Sequence, residues 1–483
     1  MLEVELKFQI PASDQEKLYQ LFLNKNARLI SLYAKYYDTP ERHLAEKNIS
    51  LRQRLEDDHW IQTLKAPSDH SLQRFELETD LGKLENPSLD LEIYQSHAKA
   101  KQLLQKALGK QAKNLTVQYE TVVQRLVHVI HFNRSEIEVS LDRGEIRHDN
   151  QSVPIYEIEF ELKKGSIHDL IKFIQPWVKR YDLWLDVRSK AQRGDLLAQD
   201  LKIPPAQFAI PLQLNSQDST DSALKQMINN ALQHLLPNAS TIAAEQYDSE
   251  HIHQARVAMR RLRSALRVFD DWSDEVDPQW QEQLTSLFRQ LGATRDRDAL
   301  NEGLLPQLQQ AGGPYIELPN ITKENQIAVD ESLRSSDFVE LILDLLQFFH
   351  RPSKKQKKSG LKKDIAKKLQ KLHHQICKDG EQFLDLDIPS RHRTRKRVKR
   401  LRYCVEFVAS LYPNKDVKRY LKDLKPAQES LGQYNDLMVA EVMFQNIVKR
   451  KQKAWFAVGW IANEKKYILQ PVSYTHLTLP TKA

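Results

Sequence analysis

Apolar and polar residues alternate in short segments throughout the first 200 residues of the chain. The alternation recurs in LEVELKF, ISLRQRL, WIQTLK, RFELETD, IEVSLD and YEIEFELKK. Because successive side chains of a strand point to opposite faces of a sheet, this period of two predicts β-strands. Segments with helical spacing, such as SDQEKLYQLFLN and HAKAKQLLQKALG, separate the strands. The pattern therefore predicts a mainly β domain with covering helices.

A change of pattern separates this region from the rest of the chain. Residues 203–220 contain three prolines and a polar end, which is typical of a linker. From about Asp221 the pattern becomes helical and stays helical. We predict a β domain over 1–202, a linker over 203–220, a helical domain over 221–462 and a tail over 463–483. The last dozen residues, VSYTHLTLPTKA, continue no pattern and are expected to be non-native.

The polar faces of the predicted strands are charged, and they carry both signs. The residues that share a face are Glu3, Glu5 and Lys7; Arg52 and Arg54; Thr63 and Lys65; Arg74, Glu76 and Glu78; Glu136, Glu138, Ser140 and Asp142; and Glu157, Glu159, Glu161 and Lys163. A solvated sheet face explains any one of these strands. Six such strands favour a barrel whose charged faces line a channel and whose apolar faces pack outward against helices.

The residue types of such a channel indicate the chemistry that it would perform. Clustered carboxylates are suited to a hard divalent cation, Mg²⁺ or Mn²⁺. Arg and Lys are suited to phosphate oxygens, and Arg can bind them with two hydrogen bonds. The chain has only 13 glycines and lacks both G-x-x-x-x-G-K-[ST] and G-x-G-x-x-G. Phosphate would therefore be held by side chains rather than by a Gly-rich loop.

The order of these blocks resembles the CYTH, or triphosphate tunnel metalloenzyme, superfamily over residues 1–200. The resemblance rests on E-x-E-x-K at Glu3–Lys7, followed by ISLRQR, TLK, RFELE, SLDRGEI, YEIEFELKKG and RSKAQRG. It implies an eight-stranded antiparallel β tunnel, covered by helices, that hydrolyses or rearranges a triphosphate with a divalent metal.

The resemblance also implies roles for individual residues. The implied metal-site acids are Glu3, Glu5, Glu157, Glu159 and Glu161. The implied phosphate-binding residues are Lys7, Arg52, Arg54, Lys65, Arg125, Lys163 and Lys190. The candidate catalytic residues are Lys65, Glu76, Glu78 and Asp142.

The charge of the second part of the chain differs from that of the first. Residues 1–200 hold 29 Lys and Arg against 31 Asp and Glu, whereas the remaining residues hold 43 against 33. The segment HIHQARVAMRRLRSALRVF carries a basic stripe at helical spacing, and this stripe contains no acid. Its members are His253, Arg256, Arg260, Arg263 and Arg267. Such a stripe is either a solvated face or a site for a polyanion.

The basic block is repeated 139 residues further along the chain. The basic positions of the second copy are His392, Arg395, Lys399 and Arg402, and LG-x-x-x-D follows both copies. An internal duplication could place two basic helices side by side. This half resembles the CHAD domain, an all-helical module that binds inorganic polyphosphate. The stripes contain no aromatic residue for base stacking, which disfavours nucleic acid as the partner.

These observations predict an α+β chain with a β tunnel followed by an all-α helical-bundle domain that contains a duplication. The predicted activity is metal-dependent hydrolysis of inorganic tripolyphosphate, with inorganic polyphosphate as a second partner. One alternative is an adenylyl cyclase or a thiamine or nucleoside triphosphatase of the same superfamily. The other is a non-catalytic polyphosphate-binding protein. No apolar run indicates a membrane span or a signal peptide, so we expect a cytoplasmic protein without a membrane partner.

Overall fold

The computed structural model describes residues 2–25, 27–67, 73–291, 303–316, 328–353 and 360–469, with the backbone alone at residues 2, 3, 73, 74 and 469. The tail residues predicted to be non-native lie outside this part. The chain divides into two compact units. The first comprises residues 1–207, 236–251 and 330–351, and the second comprises residues 208–235, 252–329 and 352–483. The predicted α+β class is confirmed, with a β-sheet unit followed by helices.

The first unit is built on one antiparallel sheet. Its strands are β1 (Leu2–Gln9), β2 (Arg28–Asp38), β3 (Ser50–Glu56), β4 (His59–Pro67), β5 (Gln73–Gly82), β6 (Thr116–Phe132), β7 (Ser135–His148), β8 (Gln151–Lys164) and β9 (Trp184–Leu185). They lie in the order β5-β4-β3-β2-β6-β7-β8-β1-β9. The described residues form nine strands instead of the eight that were predicted, because Trp184 and Leu185 pair with Gln9 and Phe8 at the end of β1.

Strand β1 has three neighbours. Its second half pairs with β8, where Glu5, Lys7 and Gln9 lie opposite Glu161, Glu159 and Glu157. Its first residues, Leu2–Val4, pair with β5. This short pairing connects β1 to the first strand of the sheet order. The carboxylates of β8 are thereby placed beside the first strand.

Two-residue turns connect three pairs of neighbouring strands. Asp57, Asn133 and Asp149 occupy the first position of these turns, with φ angles of 55°, 53° and 48°. Asn and Asp adopt this left-handed conformation more readily than most residues, and such turns match the twist of paired strands. The turns therefore set the register that brings the charged residues of β6, β7 and β8 opposite one another.

Helices cover the apolar side of the sheet. They are α1 (Gln15–Asn24), α2 (Ala98–Leu108) and α3 (Ile167–Tyr181). The Phe160 ring on β8 lies 6.1 Å from Phe173 and 5.7 Å from Trp177 of α3. Leu51 and Leu64 are fully buried in a cluster that includes residues of α2. The apolar residues between the charged positions are thus core residues.

Helix α4 (Lys190–Ala198) packs on the opposite side of the sheet. There it meets an apolar patch formed by Ile30, Leu32, Ala34, Tyr36, Tyr119 and Val123. Tyr36 lies directly opposite Arg52 in the register of β2 and β3, so this patch shares a face with the charged residues. The inward side of the sheet is therefore charged in one part and apolar beneath α4.

The described chain after α4 is mainly helical. Its helices are α5 (Thr220–Ala243), α6 (Ser249–Phe269), α7 (Gln279–Gln290), α8 (Leu305–Gln310), α9 (Val329–Arg334), α10 (Ser336–His350), α11 (Leu361–Glu381), α12 (Ile388–Val408), α13 (Asn414–Ile447) and α14 (Ala454–Leu469). In the predicted repeat, the apolar positions of α6 and α12 are buried, including Leu262 and Leu401. Within the described residues, no helix combines the length and the apolar character needed to cross a membrane.

Candidate functional site

Three carboxylates form a cluster on the charged face, the side of the sheet that carries Arg52, Arg125 and Glu157. Asp142 on β7 lies opposite Glu157 on β8, and Glu159 follows two residues later on the same face. One oxygen of each carboxylate lies within 4.8 Å of the others. The side chains of Asp142 and Glu157 are fully buried, and that of Glu159 is 13% exposed. We call Asp142, Glu157 and Glu159 the acidic triad.

The ammonium group of Lys190 lies among the three acids of this triad. Its Nζ is 2.7 Å from Asp142 Oδ2, 2.5 Å from Glu157 Oε1 and 2.7 Å from Glu159 Oε1. Lys190 is the first residue of α4, and Ser189 caps the helix by accepting a hydrogen bond from the backbone N–H of Gln192. The capping box fixes the direction in which the helix begins.

Burial and charge have opposite effects on the groups of the triad. Burial raises the pKa of Glu159, but Lys190 and Arg125 outweigh it and hold the pKa well below its ordinary value. Burial lowers the pKa of Lys190, but the three carboxylates outweigh it and raise the pKa well above its ordinary value. Both groups are therefore charged at neutral pH.

Further cations complete the surroundings of the triad. Arg125 donates to both oxygens of Asp142 at 2.7 Å and also contacts Glu159. Lys7 Nζ lies 3.4 Å from Glu157, and Arg193 Nη1 lies 3.1 Å from it. The buried carboxylates are thus each paired with cations, which offsets the cost of removing the charges from water.

A second charged group lies on β3, β4 and β5. Lys65 Nζ is 3.0 Å from Glu76, and the guanidinium groups of Arg52 and Arg54 lie 3.7 and 3.8 Å from Glu78. The pKa of Arg54 is lowered by burial and by the neighbouring positive charges of Arg52 and Arg125. Since Arg125 belongs to the triad's surroundings, the two charged groups are near enough to interact.

The predicted metal-site acids do not all lie in one place. The triad contains Glu157 and Glu159 together with Asp142, for which the resemblance implied a catalytic role. Glu161 instead lies 2.8 Å from Lys163, which is also 3.5 Å from Glu138. Glu5 is partly buried and contributes to the raised pKa of Arg125. The side chain of Glu3 lies outside the described residues.

Some residues at the site were not identified from the sequence. Gln9 donates to Glu157 at 3.1 Å and to Asp186 at 3.0 Å. Arg193 contacts Glu157, and Arg188 pairs with Asp186 at 2.8 Å. The sequence contained a pattern that could have identified two of them. Gln9 continues the alternation of the first strand, and Arg193 lies three residues after Lys190 on α4. No sequence pattern indicated the pairing of Asp186 with Arg188.

Gly194 permits the close approach of α4 to the sheet. A Cβ atom at this position would lie 2.2 Å from ring atoms of Tyr119. The ring is buried, and its hydroxyl donates to the carbonyl of Ala191 at 2.9 Å. We expect Gly194→Ala to displace α4, to cost about 1–3 kcal/mol of unfolding free energy through overpacking, and to move Lys190 away from the triad. Thermal unfolding and steady-state turnover would measure both effects.

Gly459→Ala is a matched control for this substitution. Gly459 lies in α14, and a Cβ there would meet no atom within 4 Å. Alanine in an exposed helix is favoured over glycine by about 1 kcal/mol, so this variant should be at least as stable as the wild type. If Gly194→Ala behaved like Gly459→Ala, α4 would not depend on the close contact with Tyr119.

A basic surface lies on the helices of the second unit. The guanidinium groups of Arg256, Arg260 and Arg263 on α6 lie 4.4, 5.5 and 5.4 Å from the ring centre of Phe288. These distances are typical of cation–π contacts. Phe288 belongs to α7 and not to either predicted stripe, so the helical spacing of the stripes did not predict these contacts. The ring orders three basic side chains of one stripe.

The second copy of the repeat contributes to the same basic surface. The pKa of Arg263 is lowered by burial and by Arg400, Arg289 and Arg260. The pKa of Lys396 is lowered by burial and then by Arg263 and Arg289. These effects place cations of α6, α7 and α12 close together. The two basic helices therefore lie near each other, as the duplication predicted.

The remaining predicted residues of the stripes have varied surroundings. Arg256 is largely buried and donates to the carbonyl of Phe288 at 3.4 Å. His392 lies 3.2 Å from Asn435, and Arg402 donates to Glu406 at 2.8 Å. Other predicted members are partly buried or exposed along the same helices: His253, Arg267, Arg395 and Lys399. The contribution of each of these residues to ligand binding stays a prediction.

Comparison with protein families assigns both parts of the chain. The CYTH domain model matches residues 1–194, and the CHAD domain model matches residues 226–445. An inorganic triphosphatase of Haemophilus influenzae is 32% identical over 165 residues, which are 34% of this chain and 44% of that protein. The chain thus aligns with less than half the length of this curated relative.

Solved structures also resemble the chain. The CHAD domain from the plant Ricinus communis has 29% identity and a TM-score of 0.44, and the match covers 56% of this chain and 94% of that one. A candidate adenylyl cyclase from Hippeastrum with a dominant triphosphatase activity has 16% identity and a TM-score of 0.27, over 42% of this chain and 98% of that one. The two family models show that the protein joins an N-terminal CYTH domain to a CHAD domain.

Proposed function

We propose that the protein is a metal-dependent inorganic triphosphatase that hydrolyses tripolyphosphate to pyrophosphate and phosphate. The observation that carries the proposal is the buried acidic triad surrounded by Lys7, Arg125, Lys190 and Arg193 on one face of the sheet. Such a site offers carboxylates for a cation and cations for phosphate oxygens. The similarity to the triphosphatase of Haemophilus influenzae supports the same reaction.

The residues of the triad fit a divalent metal. Each offers a carboxylate oxygen within 4.8 Å of the others, and Mg²⁺ and Mn²⁺ prefer oxygen ligands. Asp142, Glu157 and Glu159 would hold the ion. When bound, it would neutralise negative charge on the phosphate oxygens of the substrate. Lys190 contacts an oxygen of each acid and would supply positive charge beside the ion for the phosphate oxygens of the substrate.

The cationic residues would position the substrate. Arg125 and Lys190 are held by buried carboxylates, so little reorganisation is needed when phosphate arrives. Arg52, Arg54 and Lys65 provide positive charge on the neighbouring strands. Water would attack the terminal phosphorus, the bridging P–O bond would break, and a proton would pass to a carboxylate such as Glu76 or Glu78. Phosphoryl transfer needs mainly positioning and charge stabilisation of this kind.

The basic surface on α6, α7 and α12 is proposed to bind inorganic polyphosphate. Within the described residues, no carboxylate lies within 4 Å of Arg263, Lys396 or Arg400, so their charge is available to a polyanion. Phe288 is enclosed by three guanidinium groups, which occupy the ring that a nucleobase would need for stacking. This arrangement favours polyphosphate over nucleic acid.

Phosphate release from tripolyphosphate tests the proposed activity. We expect release with Mg²⁺ or Mn²⁺, equal amounts of pyrophosphate and phosphate, and none after EDTA treatment. ATP and thiamine triphosphate are the comparison substrates, and slower turnover of both is expected. Cyclic AMP formation from ATP would instead indicate an adenylyl cyclase. Binding of polyphosphate without turnover of any triphosphate would indicate a non-catalytic binding protein.

A further inference from the structure

The segment 185–190 connects β9 to α4 and carries Lys190 to the triad. Its backbone is attached to β1, because the N–H of Asp186 donates to the carbonyl of Lys7 at 3.1 Å. Lys7 Nζ in turn donates to the carbonyl of Arg188. The path of this segment therefore determines where Lys7 and Lys190 lie relative to Glu157.

A buried ion pair holds the segment in shape. The Arg188 side chain donates two hydrogen bonds to the Asp186 carboxylate, from Nε at 2.9 Å and from Nη2 at 2.8 Å. The backbone N–H of Arg188 donates a third to Asp186 Oδ1 at 3.0 Å. The Asp186 side chain is fully buried, and that of Arg188 is 12% exposed. A buried ion pair of this kind is stable only when its remaining hydrogen-bond donors also have acceptors.

Those remaining partners come from residues beyond the linker. Arg188 Nη1 donates to Gln246 Oε1 at 2.7 Å, and the N–H of Val187 donates to Ser240 Oγ at 3.0 Å. Residues 236–251 belong to the first compact unit, although they lie within the CHAD match over 226–445. The segment that carries Lys190 is thus held by residues outside the CYTH match.

The turn that carries Gln246 is itself well fixed. Helix α5 ends at Ala243, and Glu245 adopts a left-handed φ of 60°. The N–H of Gln246 donates to the carbonyl of Thr241 at 3.1 Å. Arg334 then donates to the carbonyl of Ala243 at 2.5 Å and to Glu245 at 2.6 Å. These hydrogen bonds fix the end of α5 and therefore the position from which Gln246 contacts Arg188.

We propose that Ser240 and Gln246 are positioning residues of the triphosphate site. They act through Val187 and Arg188, which hold the segment that delivers Lys190 to the acidic triad. The CYTH match alone would then lack two of the contacts that shape its own site. The inference rests on the proposed function for its effect on turnover, but its effect on the 185–190 segment is independent of that function.

Gln246→Ala tests the inference by activity. It removes the acceptor of a hydrogen bond from a charged group, and we expect a loss of about tenfold in kcat/KM for tripolyphosphate. Gln246→Glu keeps an acceptor oxygen and should restore most of the activity. Gln175→Ala is the matched control, because Gln175 belongs to the same unit and donates at 3.0 Å to Asp344 rather than to the segment. That variant should turn over like the wild type.

A double-mutant cycle with Arg188→Ala separates positioning from general destabilisation. If Gln246 acts through Arg188, adding Gln246→Ala to Arg188→Ala should cost no further activity. Additive losses in the double mutant would overturn the inference. Equal losses in Gln246→Ala and Gln175→Ala would do the same, since they would point to overall stability as the cause.

Hydrogen exchange tests the inference even if no triphosphate is hydrolysed. Gln246→Ala should accelerate amide exchange across residues 185–198, and Gln175→Ala should not. An unchanged exchange pattern in Gln246→Ala would refute the positioning role. A wild-type protein that neither binds nor hydrolyses tripolyphosphate would refute the proposed function but leave the exchange result intact, so the two failures are distinguishable.

Discussion

Replacing Glu157 with Gln is expected to reduce tripolyphosphate hydrolysis by about 10³-fold, the upper range for losing one preorganised charge-stabilising group. Glu157 is fully buried and contacts Lys7, Lys190 and Arg193. The substitution removes one negative charge from the triad and leaves three cations with less compensation. A divalent metal would also lose one of its carboxylate oxygens. Phosphate release and Mn²⁺ binding, followed by electron paramagnetic resonance, would measure the two effects.

Stability has to be measured in the same variant. Weakening a buried ion pair by removing one partner costs about 3–5 kcal/mol, so Glu157→Gln should unfold at a lower temperature. Glu157→Asp keeps the charge and should retain Mn²⁺ binding. Glu145→Gln is the control, because Glu145 pairs on the same sheet with Arg147, which is largely exposed. A folded Glu157→Gln protein with wild-type turnover would exclude the triad as the metal site.

Replacing both Arg263 and Lys396 with Ala is expected to weaken polyphosphate binding by about tenfold or more at low salt. Each removed phosphate contact should lower the slope of log affinity against log salt by about one. The pKa of each group is lowered by burial and by neighbouring cations. Removing these two side chains relieves the repulsion between neighbouring positive charges. The thermal stability of the protein should therefore rise while its affinity for polyphosphate falls. Titration at several salt concentrations and thermal unfolding would test both directions.

A control with the same change in net charge is available on another helix. Lys415 and Lys418 are exposed at the start of α13. Lys415→Ala combined with Lys418→Ala should leave the salt slope unchanged. Equal weakening in both double variants would mean that only the total charge matters, and the basic surface would then not be a defined site.

Most of the sheet was predictable because its charged residues follow a strict period of two. Strands β7 and β8 alternate between buried apolar residues and charged residues over most of their length, as predicted. Strand β2 was not identified. Its inward residues include Ile30 and Ala34, which are buried near Ala191 of α4. An apolar inward face gives no charge signal, and the partner that buries it is far away in the sequence.

The sequence by itself determined that charged residues share one face of several strands, that the pattern becomes helical after the predicted linker, and that the basic block is repeated. These properties depend on spacing along one strand or one helix, which local geometry dictates. The tertiary structure alone decided which acids meet. Asp142, Glu157 and Glu159 converge on Lys190 because strand register and the approach of α4 at Gly194 bring them together. The tertiary structure also decided that Phe288 contacts the basic stripe and that Gln246 accepts a hydrogen bond from Arg188. Such contacts join residues whose separation along the chain follows no helical or strand period.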